Sequence, residues 1–169
     1  MVERIAIERL NMLPAAEFVG RLGGVFEHSP WIAEAVLAQR PFPDTAALHA
    51  AMVGAVVQAG PEAGLTLLRA HPELARPAPL TAASAAEQGD MGLDRLAADE
   101  AARFAALNAA YRERFGFPFI IAVRGQRDRA AILAALTARL AHDEAAERRT
   151  ALAEVAKIAR YRLDDLLGA

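Results

Sequence analysis

The chain has 169 residues, 54% of them hydrophobic, with 19 basic and 21 acidic side chains, a formal charge of -2 and no cysteine. That length and apolar fraction suit one globular domain over 1–169 with a sizeable core. Balanced charge without long blocks of one sign argues against a nucleic-acid or membrane-surface partner, and the lack of cysteine removes disulfides, thiol nucleophiles and zinc–thiolate sites and fits a reducing cytoplasm. The N-terminal stretch MVERIAIERLNML lacks the continuous apolar run of a secretory signal. No window approaches the ~20 uncharged apolar residues of a membrane span, so neither export nor a membrane is expected.

Apolar residues recur every three or four positions and alternation with period two is almost absent, which predicts an all-α fold, a single compact multi-helix domain. In chain order the helices are expected over 14–26, 30–39, 45–59, 61–70, 93–114, 128–140 and 143–167. Ser29 before Pro30 reads as an N-cap followed by a first-turn proline, and Asp44 or Thr45 opens the third helix in the same way. Two stretches break the helical pattern: HPELARPAPLTAASAAEQGDMG, 71–92, and FGFPFIIAVRGQ, 115–126.

Each break carries a candidate for chemistry. Proline disfavours the α conformation in the residue before it, so the helix through Leu67 and Leu68 should end at His71. The imidazole then sits beside unpaired carbonyls at the negative end of the helix dipole, either capping them or acting as a proton carrier. The other histidines, 28, 49 and 142, lack metal-ligand spacing, so no metal site is expected. Ser84 and Glu87 have the spacing of a capping box, but Gly89 and Gly92 follow at once. A Ser, Glu and Gln cluster on so short a turn offers hydrogen bonds to a small polar molecule as the other reading.

After Gly116 and Pro118 the residues Phe119–Val123 favour an extended backbone, a short segment near 117–123 with no sheet to join. Its polar groups need partners, from neighbouring loops and water or from a ligand. On the last predicted helix Leu152, Val155, Ile158, Ala159, Leu163 and Leu166 form an apolar stripe, and Arg162 stands four residues from both Ile158 and Leu166. An arginine on that face needs a carboxylate, either Glu87 or a bound anion. The single lysine, Lys157, lies near the edge of the stripe and has no features of a Schiff-base site.

The segments LNMLPAAEFVGRLGGVFEHSPWIAEAV, RPF, HPELA, SAAEQ, LNAAYRERFGFPFIIAVRG and KIARYRL, in this order and spacing, resemble the 2-oxo-4-hydroxy-4-carboxy-5-ureidoimidazoline (OHCU) decarboxylases of urate degradation over nearly the whole chain. The most specific part is Ser-x-x-Glu-Gln followed by Asn-x-x-Tyr-x-x-Arg-Phe-Gly-Phe-Pro-Phe. The resemblance implies an all-helical, cofactor-free carboxy-lyase, commonly a homodimer, that converts a small-molecule substrate to (S)-allantoin. It makes His71, Glu87 and Arg162 the catalytic residues, with Pro72, Ser84, Gln88 and the stretch Phe119, Ile120, Ile121, Ala122 and Val123 at the substrate. The C-terminal LDDLLGA has no peroxisomal ending, in line with a bacterial cytoplasmic member. Alternatives are a homologue acting on a related ureido or hydantoin-like acid, and a non-catalytic helical binding module.

Overall fold

Apolar periodicity dictates helices, and helices are what the chain forms. The computed structural model describes residues 4–168, and among them every regular element is helical. The helices are α1 (Ile7–Met12), α2 (Ala15–Leu22), α3 (Trp31–Val36), α4 (Thr45–Gln58), α5 (Pro61–Ala70), α6 (Ala82–Asp90), α7 (Ala98–Phe115), α8 (Arg129–Arg139) and α9 (Glu144–Leu167), with 3-10 turns at Leu37–Gln39 and Val123–Gly125. The chain divides into two units: residues through Ala70 together with those from Ala156 onward, and His71–Val155.

In the first unit α3 packs on α2 and α4, and α4 on α5. Phe18, Leu22, Ile32, Val36, Leu48, Met52, Leu67 and Leu68 are fully buried. Asp44 caps α4 as expected, its carboxylate accepting from the Ala47 N–H at 2.7 Å. Ser29 does not cap α3: its hydroxyl donates to the Glu27 carbonyl at 2.9 Å, and the cap position falls to Pro30. α2 stops four residues short of the expected end, at Gly23, where an added Cβ would lie 2.9 Å from the Val19 carbonyl oxygen and 3.3 Å from the Pro30 side chain.

The short α1, absent from the expectation, is fastened by polar contacts and one buried leucine, Leu10. The Asn11 amide donates to the Phe42 carbonyl and accepts from the Phe42 N–H, both at 2.8 Å. Arg40 donates to the Asn11 and Leu13 carbonyls at 3.1 and 2.6 Å and lies over the Phe18 ring. The LNML and RPF segments are thus two halves of one backbone lock.

In the second unit α7 packs against α8. α7 ends at Gly116, which takes the left-handed conformation (φ 74°) that glycine adopts without a Cβ penalty. Beyond it the chain is non-helical through Ala122, while Val123, expected to be extended, begins a 3-10 turn. Tyr111, Phe115, Phe117 and Phe119 form a buried aromatic cluster with ring centroids 4.7–6.1 Å apart. α7 begins at Ala98 rather than near 93, because the Leu93 N–H closes back onto the Gln88 carbonyl after α6.

No single helix among the described residues is long and apolar enough to cross a membrane; α4 and α5 reach that composition only as a pair, bent by 115°.

Candidate functional site

His71 follows the last residue of α5, where Pro72 was expected to stop the helix, and is 8% exposed. Pro72 beside it is half-buried. The chain then turns through Ala75, a non-glycine residue at φ 58°. Two side chains grip the Leu74–Ala75 peptide: Asn108 of α7 donates to its carbonyl at 2.9 Å, and Gln88 of α6 accepts from its N–H at 3.0 Å. The histidine loop is thereby tied to both helices. The other ends of these amides, Gln88 Nε2 and Asn108 Oδ1, are buried without a partner. A buried orphan of this kind costs about 1–3 kcal/mol, so Gln88 holds a donor available to a ligand.

The capping-box reading of Ser84 and Glu87 is overturned by the structure. The cap of α6 is Thr81, whose hydroxyl accepts from the Ser84 N–H at 3.3 Å, so Ser84 stands inside the first turn and Glu87 in the middle of the helix. Ser84 is buried and Glu87 half-buried. α6 packs against the 3-10 turn at Val123–Gly125, which brings the Ser84, Glu87 and Gln88 helix to the end of the extended segment.

Phe119, Ile120, Ile121, Ala122 and Val123 are all buried. Arg139 of α8 donates through Nη1 to the Ile120 carbonyl at 2.6 Å, and Glu154 of α9 accepts from the Ala122 N–H at 2.8 Å. Between these anchored groups, the N–H and C=O of Ile121 have no hydrogen-bond partner among the described residues. Buried backbone groups are almost always paired. Ile121 therefore offers an adjacent donor and acceptor, the pattern that matches the edge of an amide or ureide.

Arg139 is itself held by Glu147, a carboxylate with no solvent exposure. One carboxylate oxygen takes Arg139 Nε at 2.7 Å, Arg139 Nη2 and the Tyr111 hydroxyl; the other lies 2.7 Å from His142 Nδ1. Burial, and then the hydrogen bond to Glu147, push the Tyr111 hydroxyl far above its ordinary pKa, so it remains a donor.

Arg162 lies in the first unit and forms an ion pair with Glu27 at 2.8 Å, a carboxylate the sequence had not singled out. Glu27 is 1% exposed and the Arg162 side chain 9%. The same Nη1 also reaches the Gly24 and Val25 carbonyls at 3.3 and 3.5 Å. His49 meets the Ala156 carbonyl, and His28 is largely exposed. Among the described residues no three His, Asp or Glu side chains gather into a metal-binding group.

Sequence reasoning missed Arg139, Glu147, Glu154, Asn108 and Glu27. The signal for two of them was available. Glu154 lies four residues before Ile158, and Glu147 four before the fully buried Ala151, so both stand on the apolar face of α9 by the argument that singled out Arg162.

The family model described as OHCU decarboxylase matches residues 11–164. The chain is 44% identical over 162 residues to the 2-oxo-4-hydroxy-4-carboxy-5-ureidoimidazoline decarboxylase of Haloferax volcanii, covering 96% of each chain. It is 45% identical to the protein of that name from Bos taurus, covering 96% of this chain and 97% of that one. A crystal structure of (S)-allantoin synthase superposes with a TM-score of 0.80 at 35% identity over 96% of this chain, which spans about half (54%) of that longer one. The chain belongs to the OHCU decarboxylase family.

Proposed function

We propose that the chain is a cofactor-independent carboxy-lyase that converts OHCU to (S)-allantoin in urate degradation. The observation that carries this reading is the unpartnered Ile121 backbone pair, a buried donor and acceptor suited to the ring amide of such a substrate, on a member of this family. The spare Gln88 donor and the His71 imidazole belong to the same unit.

The substrate's name places a hydroxyl and a carboxylate on one ring carbon and the ureido group on the next. When the bond to the carboxylate breaks, carbon dioxide leaves and the electron pair passes into the adjacent ring C=N. The ring nitrogen that receives the pair takes up a proton, the hydroxyl loses its own as the oxygen becomes a ring carbonyl, and the carbon bearing the ureido group gains one. The net reaction consumes one proton per carbon dioxide released. Because the ring accepts the electrons, no external electron sink is required.

In this reading His71 carries the proton, and delivery to one face of the ring makes a single enantiomer. Arg162 binds the substrate's anionic group, with Glu27 fixing the guanidinium. Glu87 and Gln88 hold the hydroxyl and ureido groups, Ser84 and Pro72 line the same site, and the Phe119–Val123 stretch holds the ring edge. A cytoplasmic homodimer belongs to the same reading.

The test is OHCU generated in situ from urate, with its loss followed by absorbance. The wild-type protein should accelerate that loss. Arg162→Lys keeps the charge but not the guanidinium fork, so it should raise KM while the protein stays folded. No acceleration by folded wild-type protein would refute the assignment.

A further inference from the structure

The two groups that anchor the extended segment carry opposite charges, and each acts on a different peptide of the same residue. The Ile120 carbonyl and the Ile121 N–H belong to one peptide unit; the Ile121 carbonyl and the Ala122 N–H belong to the next. Both are trans, so within each unit the C=O and N–H point in opposite directions. A cation on the Ile120 carbonyl draws electron density towards that oxygen and makes the Ile121 N–H a stronger donor. A carboxylate on the Ala122 N–H does the converse and makes the Ile121 carbonyl a stronger acceptor. Hydrogen bonds in series polarise one another in this way, and charged partners do so most.

We propose that Arg139 and Glu154 are positioning residues which orient and polarise the Ile121 backbone pair for an amide or ureide edge. The inference rests on the reading that this segment holds the substrate ring. Satisfying a backbone carbonyl needs no charge, and a buried arginine must be neutralised elsewhere. Here Glu147 takes Nε and Nη2, leaving Nη1 directed at the Ile120 oxygen. Tyr111 and His142 complete the coordination of Glu147. The arrangement delivers one directed cationic donor to one carbonyl, while the Glu154 carboxylate takes the N–H two residues on.

Glu154→Gln retains an acceptor for the Ala122 N–H and removes the charge; Arg139→Lys retains the charge and removes the fork. In ligand-free protein, NMR should show the Ile121 carbonyl carbon moving upfield in Glu154→Gln and the Ile121 amide proton moving upfield in Arg139→Lys. Steady-state turnover of OHCU should show KM raised about 3- to 10-fold in each, with kcat within about twofold. A packing role alone would move melting temperature without this split. Unchanged Ile121 resonances in Glu154→Gln, or a fall in kcat at constant KM, would overturn the proposal. If Arg139→Lys does not fold, Glu154→Gln decides alone. If the wild type leaves OHCU untouched, the decarboxylase reading fails while the resonances still decide whether Ile121 is polarised.

Discussion

Glu87 illustrates how one side chain separates a folding role from a chemical one. Its spacing from Ser84 suggested a cap, but Thr81 caps α6, so Glu87 is released from that duty. Thr81→Ala should therefore lower stability by about 1 kcal/mol and leave turnover per folded molecule unchanged. Glu87→Gln should do the reverse, with melting temperature near that of wild type and turnover reduced. Parallel thermal melts and OHCU kinetics on the two variants check this, and a capping loss in Glu87→Gln with full activity would return it to a structural role. At this scale the sequence was partly readable. His71 followed from the proline beside it, and Arg162 from its place on an apolar stripe. Glu27 was not readable, because it lies in a non-helical stretch where no periodicity marks the buried face, and the link between Gln88 and Ala75 depends on a turn without a local pattern.

Among the elements, the long helices were legible because a regular apolar face needs no tertiary information. α4 and α5 have the expected starts and stop within one residue of the expected ends, and α9 within a residue or so at either end. α1 was not legible: it is six residues long and its stability rests on Asn11 and Arg40 meeting chain some 30 positions away. α8, which carries Arg139, offers a test of its own start. Its cap Asp128 accepts from the Ala131 N–H at 2.8 Å, and that bond, followed by the one from Arg127, lowers the carboxyl pKa. A lowered folded pKa contributes stability above the ordinary value of about 3.9, and that contribution is lost as pH falls through the folded value. An asparagine at this position would cap without titrating, so the margin of wild type over Asp128→Asn should shrink as pH drops below about 4. Melting curves from neutral to acid pH measure it; a margin constant with pH would mean that the cap's charge does not matter.

For the molecule as a whole, composition and periodicity were enough for the all-α class, and the ordered family segments for the family. What they left out were the charges buried inside the second unit. The helical period puts Glu147 and Glu154 on the apolar face of α9, but only packing reveals that they meet Arg139 and the Ala122 N–H. Those charges fasten the segment that carries Ile121, and with it the substrate reading. The most direct test of that reading is the handedness of the product. OHCU left to decay is protonated on either face and yields racemic allantoin, so circular dichroism of the product formed in situ reports facial control. Wild-type protein should give a rapid signal of the S enantiomer. His71→Ala, folded as judged by its helical spectrum, should lose about 10²- to 10⁴-fold in rate and give little or no signal above the spontaneous background. Near-wild-type turnover with the S signal intact in that variant would remove His71 from the chemistry. A racemic product from folded wild-type protein, formed no faster than without it, would contradict the decarboxylase itself.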